Sequence, residues 1–373
     1  MTTPEHISHS HSCNVVVEND VFMRVLDIVL NPSCSEERRE AFRDFFAHDK
    51  PDFLDWAKQL RENSIHLQNC RLTFVDSQEE LEYALQDAHV LVLESLRVTE
   101  RELAMAPSLK VIQKYGHIVR NLDVVACQAH GVAVLTIRRR ANIACAEQAM
   151  MMILALAKRL PELNKVTSMT RLREAGFSPA PFDRRHTPSS NWARIPNLDT
   201  LYGKTLGILG LGEVGRDIAV RANAFEMRVI YSQREQLDPT TEQSLNVQFV
   251  SFEALLSQSD WLVVQLPSGP STHHLLDAKA FKLMKKGLRL INVSRAQCME
   301  REALLEALRD GTLGGFALDT LWQEPGDDDD ELLSFPNVIL TPHTAGSPRQ
   351  NGLQDFEQMV HQMDAALEDA AAG

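Results

Sequence analysis

GKTLGILGLGEVG, residues Gly203–Gly215, is the stretch on which the reading of this chain turns. Its apolar run Leu206–Leu209 predicts a buried parallel strand, and Gly210, Gly212 and Gly215 follow at G-x-G-x-x-G spacing. Arg216–Val220 then has helical character. Strand, glycine turn and helix in that order is the setting in which this motif binds a dinucleotide. The first glycine allows the tight turn. The second lets backbone N–H groups approach a pyrophosphate, and the third lets the helix pack on the strand with its N-terminus toward the phosphates. The same spacing occurs in ordinary glycine-rich strand–helix turns, so the motif needs support from the rest of the chain.

Downstream, apolar runs predict strands at 206–209, 228–231, 248–250, 261–266, 288–293, 315–318 and 338–341, with helices between most of them. Gly287 and Gly311 fall where helix C-terminal glycines belong. Upstream, regular patterning starts at Met23, with a strand predicted at 25–29 and helices at 36–47 and 53–60, parted by Pro51. Strands at 72–75, 90–93, 111–114 and 132–135 follow, alternating with helices at 79–87, after Thr99 and at 122–130. Such alternation predicts an α/β chain of two doubly wound parallel-sheet domains. Residues 144–160 form a long helix, apolar nearly all round and so buried on more than one side, with Met150, Met151 and Met152 in core or interface. Pro161 ends or kinks it. Four prolines between 176 and 200 mark an arm or linker over a surface, and 354–370 reads as a terminal helix. Residues 1–20, with His6, His9 and His11, read as a flexible polar tail in preference to a metal site.

The 373 residues suffice for two ordinary domains. A net charge of −13 argues against nucleic acid or an anionic membrane as partner. No apolar run reaches transmembrane length and no apolar signal core opens the chain, so a cytoplasmic location is expected. Six cysteines, at 13, 34, 70, 127, 145 and 298, show no CxxC and suit reduced thiols. The acidic run Asp327–Glu331 reads as a solvated loop, with metal binding the weaker alternative.

Three polar residues stand just past predicted strands: Arg295, Glu324 and His343. Ligands of an open parallel sheet bind beyond the carboxyl ends of its strands, so all three point to the edge that holds the glycine turn. A guanidinium can hold a carboxylate bidentately and polarise a neighbouring carbonyl. An imidazole can give or take a hydroxyl proton, and a carboxylate beside it orients the ring and favours its charged form. Position alone leaves a structural or surface role open for each.

Together with SDWLVVQLPSGPSTHHLL (259–276), LINVSRAQCMEREALLEALRDG (290–311), FALDTLWQEP (316–325) and VILTPHTAG (338–346), these residues resemble the D-isomer-specific 2-hydroxyacid dehydrogenase family. The match runs from about Leu109 to Gly346, more loosely over the whole chain, and is glyoxylate/hydroxypyruvate reductase-like. The resemblance implies a Rossmann nucleotide-binding domain (142–345) inserted into a flavodoxin-like substrate domain (20–137 and 346–373). It further implies a domain-bridging helix at 144–160, a dimerisation arm at about 162–200 and a homodimer. It assigns the substrate carboxylate to Arg295, the acid/base role to His343 and the assisting carboxylate to Glu324. The implied cofactor contacts are Gly210, Gly212, Glu213, Val214, Gly215, Ser232, Gln233, Arg234, Leu266, Pro267, Val293, Ser294, Arg295, Asp319, His343 and Gly346. Ser95, Tyr115, Gly116, His117, Ile118 and Arg295 would meet the substrate, and no metal is expected.

The chain also departs from that pattern. The strand end where NAD enzymes carry an acidic residue holds Ser232, followed by Gln233 and Arg234, which favours NADP over NAD unless Arg234 is merely a solvated loop residue. The substrate loop reads YGHIVRNLD (115–123), with Ile118 in place of a glycine. Glu94-Ser95 replaces an arginine–serine pair, which argues against a phosphorylated substrate. Arg138, Arg139 and Arg140 either meet an acidic substrate or pair with acidic side chains at the domain hinge. The function expected is interconversion of a 2-oxo acid and a D-2-hydroxy acid. A cofactor-sensing, corepressor-like protein and a dehydrogenase of another small anion are the alternatives; Glu324 disfavours formate, while phosphite stays open.

Overall fold

The computed structural model describes residues 13–68 and 70–372. The chain separates into two compact units, one of residues up to Ala141 together with Ser347 onward, the other of Asn142–Gly346. His6, His9 and His11 lie outside the described residues.

The first unit carries five parallel strands: β1 (Asn14–Glu18), β2 (Arg71–Val75), β3 (Val90–Leu93), β4 (Val111–Lys114) and β5 (Ala133–Leu135). Their order is β2-β1-β3-β4-β5, with Val15 between Leu72 and Val90. This is the flavodoxin-like order, which reverses direction beside β1. Two expectations are corrected here. The stretch read as a polar tail contains β1, whose three valines are buried in the sheet. Three apolar residues among polar neighbours fall short of a strand signal, and the sheet context decides. The stretch 25–29, read as a strand, lies in the helix Val25–Leu30. All six of its residues are buried, so no polar face reveals a helical period. Its Asp27 is held by Asn31 (2.9 Å) and by an ion pair with Arg38. The C-terminal helix Gln350–Ala372 belongs to this unit because Phe356, Met359, Val360 and Met363 fill the core built on Val15, Val17 and Val92. Burial of such side chains contributes about 1.5–3 kcal/mol each.

The second unit carries β6 (Thr205–Leu209), β7 (Arg228–Ser232), β8 (Gln248–Phe249), β9 (Trp261–Val264), β10 (Leu288–Asn292), β11 (Leu313–Leu318) and β12 (Val338–Leu340). All pair in parallel, in the order β12-β11-β10-β9-β6-β7-β8. This is the Rossmann order extended by one strand, with the reversal between β6 and β9. β6 and β9 are buried throughout, which is why they read as continuous apolar runs. The helix Arg140–Ala157 lays Ala146, Ala149, Met152, Ile153 and Leu156 into the core of Leu206, Ile208 and Val263. The proline-rich segment is tied down: Asp199 pairs with Arg289 (2.8 Å) and Lys204 (3.3 Å), and Arg194 lies over the Phe182 ring. The acidic run is likewise engaged, Asp330 with Arg301 and Glu331 with Arg309. Among the described residues no group of three or more His, Cys, Asp or Glu side chains could hold a metal, and no helix is long and apolar enough to cross a membrane.

Candidate active site

The glycine turn leaves β6 at the point where the strand order reverses. Gly210 has φ +95°, and a Cβ there would lie 2.4 Å from the Gln265 carbonyl oxygen. A Cβ at Gly215 would lie 2.5 Å from the Gly210 carbonyl oxygen, so the chain's own backbone requires both glycines. A Cβ at Gly212 would meet nothing within 4 Å. Gly212 caps the helix Glu213–Ala224, whose first N–H groups lack intrahelical partners. Gln233 accepts from the Leu211 amide (3.1 Å) and steadies the turn. The Gln265 side-chain nitrogen, past the end of β9, is buried without a hydrogen-bond partner. The Glu213 carboxylate accepts from Asn142 (2.7 Å). An open cradle of backbone donors at a Rossmann switch point fits the pyrophosphate of a nicotinamide dinucleotide.

Gly212→Ala therefore separates binding from folding. Unfolding free energy should change by less than about 0.5 kcal/mol, as at an unencumbered surface site. Crowding of the cradle should weaken nicotinamide dinucleotide binding by about 1–3 kcal/mol, measured by fluorescence titration. Unchanged affinity would place the cofactor elsewhere.

Three loops at the carboxyl edge of the same sheet carry Arg295, Glu324 and His343. At the end of β10, Asn292, fully buried, shapes the first loop. Its side-chain oxygen accepts from the Ser294 amide (2.8 Å) and hydroxyl (2.9 Å), and its nitrogen donates to the Arg295 carbonyl (2.9 Å). The Arg295 side chain is left exposed, donating to the Ser294 carbonyl (2.8 Å). After β11, Asp319, also fully buried, fixes the loop that follows β12. Its carboxylate accepts from the Thr344 and Ala345 amides (both 2.9 Å) and the Thr341 hydroxyl. Its carbonyl accepts from the His343 amide (2.9 Å). His343 is thereby held at φ +54°, a left-handed conformation that costs an ordinary residue about 1–2 kcal/mol.

His343 Nδ1 lies 2.9 Å from Glu324 Oε2, and Glu324 Oε1 accepts from the Leu321 amide (3.0 Å). Burial raises the Glu324 pKa, but the His343 hydrogen bond, the Leu321 amide and the charges of His343 and Arg295 outweigh it, and the net shift is downward. Glu324 therefore keeps its charge to lower pH than an ordinary glutamate. A carboxylate only accepts, so Nδ1 carries a proton and Nε2 is the atom left for a substrate. Arg295, Glu324 and His343 thus meet in one place, with Arg295 close enough to act on Glu324 through its charge.

Ser232 is buried at the end of β7 and Arg234 is exposed just beyond it. Leu266, Pro267, Val293 and Ser294 follow β9 and β10 at the same sheet edge. Val214 packs in the core beneath the turn, and Gly346 closes the loop after β12.

In the first unit, Ser95, Tyr115, Gly116, His117 and Ile118 follow the carboxyl ends of β3 and β4. Tyr115 is 5% exposed, stacked on Phe356 with the Arg139 guanidinium over its ring (4.6 Å). Burial pushes its hydroxyl well above the usual tyrosine range. The Ser95 amide and hydroxyl both donate to Glu18. Glu94 pairs with Arg139 (3.0 Å), and Arg140 with the buried Asp355 (2.8 Å), so two of the three clustered arginines neutralise carboxylates of this unit.

The sequence named Asp319 only as a cofactor contact and took Asn292 only as a marker of the segment; the bonds that make them the pins of two loops are non-local. Gln265 had no signal beyond its place in the predicted strand 261–266.

Residues 150–345 match the family model described as "D-isomer specific 2-hydroxyacid dehydrogenase, NAD binding domain". A glyoxylate reductase of Thermococcus onnurineus is 32% identical over 286 residues, which cover 76% of this chain and 81% of that protein. The solved structure of a glyoxylate reductase from Paecilomyes thermophila is similar with a TM-score of 0.53 at 22% identity, covering 96% of this chain and 97% of that one. That of a Granulicella formate dehydrogenase is similar with a TM-score of 0.52 at 24% identity, covering 80% and 77%. At those identities the structural likeness is one of fold, and it spans enzymes named for different substrates.

Proposed function

The chain belongs to the D-isomer specific 2-hydroxyacid dehydrogenase family, and from that premise we propose that it reduces a small 2-oxo acid to the D-2-hydroxy acid, with NADPH in preference to NADH. The observation that carries the reading is the His343–Glu324 pair, set beside Arg295 at the sheet edge where the glycine cradle opens. A nicotinamide cofactor held there supplies the hydride. Arg295 binds the substrate carboxylate through its planar fork of donors and polarises the adjacent carbonyl. His343 donates the Nε2 proton to the carbonyl oxygen as negative charge develops there. Glu324, charged and bonded to Nδ1, keeps the ring in register and stabilises its positive form. Asp319 and Asn292 hold the two loops in place, which limits the reorganisation the reaction requires.

Ser232 and Arg234 support the cofactor preference: no carboxylate ends β7, and an exposed guanidinium follows it. Arg234→Ala should cut kcat/KM for NADPH about tenfold or more, since a hydrogen bond to a charged group contributes about 1.5–3 kcal/mol, and leave NADH almost unaffected. An NADH preference in the unmodified chain would refute this choice.

The exposed Trp192 and Leu198 of the arm, with Leu160 and Tyr202 flanking it, support a homodimer, which mass measurement by light scattering would test. Two other readings keep a specific competitor each. A cofactor sensor needs no acid/base pair, and Arg295 suits any small oxyanion, phosphite included. Nicotinamide absorbance followed with glyoxylate, hydroxypyruvate and pyruvate, and in the opposite direction with phosphite, separates them. Turnover of a 2-oxo acid supports the proposal, whereas cofactor binding without turnover, or turnover with phosphite alone, contradicts it.

A further inference from the structure

Cys13 and Cys70 stand opposite one another at the starts of β1 and β2, and the proposed reaction uses neither. The register that opens this parallel pair, Asn14 with Arg71, continues one residue back, where the Arg71 amide donates to the Cys13 carbonyl (2.8 Å). Paired residues on neighbouring parallel strands project to the same face, one strand spacing of about 4.8 Å apart. That spacing falls within the Cα separation of about 4.4–6.8 Å that a disulfide spans. The packing agrees: Cys70 belongs to the core of Val15 and Val17, and Cys13 lies against that core beside Leu72.

The two thiols are neighbours, and the Cys70 thiol donates to the His66 carbonyl (3.6 Å). The proximity of Cys70, the largest cause, holds the Cys13 thiol below its ordinary range against the opposing effect of burial. The same proximity, then burial, pushes Cys70 up. Cys13 is also the more accessible of the two, half-buried where Cys70 is buried. The more accessible Cys13 is thus the thiol a peroxide reaches first, and Cys70 is placed to resolve what it forms.

We infer that Cys13 and Cys70 are an oxidation site, where a peroxide converts the two thiols to a disulfide that ties the start of β1 to the edge strand β2. The Cys13 thiolate attacks one oxygen of hydrogen peroxide; the O–O bond breaks, hydroxide leaves and takes up a proton as water. Cys13 is now a sulfenic acid. The Cys70 sulfur attacks the Cys13 sulfur, the S–O bond breaks, and the departing oxygen leaves as water with the Cys70 proton. In sum, two thiols and one peroxide give one disulfide and two waters, the sulfurs losing the two electrons that the peroxide gains.

The test treats the full chain with hydrogen peroxide, quenches, denatures and titrates thiols. All six cysteines are free at the start, so the count should fall from six by two and return to six with dithiothreitol. Proteolytic mapping should recover the peptide of Cys13 linked to that of Cys70. Cys13→Ser and Cys70→Ala should each abolish the link, while Cys127→Ser, which alters a thiol in a different apolar cluster, should retain it. Persistence of all six thiols, a link between another pair, over-oxidation of Cys13 without a link, or a link surviving in Cys13→Ser would overturn the inference.

Discussion

His343→Asn is expected to lower turnover of a 2-oxo acid by about 10²–10⁴-fold, the usual worth of a positioned acid/base group. Asparagine is the informative substitution because it tolerates the left-handed backbone at φ +54° that alanine would not. It fills part of the same space and can hydrogen-bond, but it cannot deliver a proton. The His343 side chain is 53% exposed, and the bonds that fix its loop come from Asp319 and Thr341, so the fold should be unaffected. Cofactor affinity should stay near that of the unmodified chain, and the loss should fall on kcat. Glu324→Gln should do the same to a smaller extent, because the amide still bonds the ring but no longer balances its charge. A His343→Asn variant with near-normal kcat would remove the proposed acid/base.

Arg295→Ala is expected to act on the substrate instead. The guanidinium is exposed and, among the described residues, hydrogen-bonded only to its neighbour's carbonyl, so removing it should not unsettle the loop, which Asn292 holds from beneath. Two charge-assisted hydrogen bonds to a carboxylate are worth about 1.5–3 kcal/mol each, so kcat/KM should fall by about 10²–10⁴-fold. Arg295→Lys keeps the charge without the planar fork and should recover only part of that loss. If Arg295 also polarises the carbonyl, the lysine variant should lose kcat as well as raise KM; a change in KM alone would confine it to binding. Equal kinetics for arginine and alanine would remove it from the site.

Much of this was legible in the sequence because it is local. The second unit announces itself through β6 and β9, buried on both faces and therefore unbroken apolar runs, and through glycines whose absent Cβ atoms the backbone needs. Arg295, Glu324 and His343 each follow a strand that could be found, so the rule for parallel sheets placed them together. The first unit was harder. β1 is short and set among polar residues, and Val25–Leu30 is buried on every side, so neither shows the period that marks its type. The work of Asp319 was hidden for another reason. Its bonds reach Thr341, Thr344 and Ala345 across two strands, and no spacing within its own segment encodes them. The arginine cluster was ambiguous until Glu94 and Asp355 were found beside Arg139 and Arg140.

The central claim, reduction of a 2-oxo acid to the D-hydroxy acid, is tested most directly by chiral analysis of the product formed from hydroxypyruvate and NADPH. The account predicts accumulation of D-glycerate, slowed by about 10²–10⁴-fold in His343→Asn. Formation of L-glycerate, or no product while the chain binds the cofactor, would contradict it.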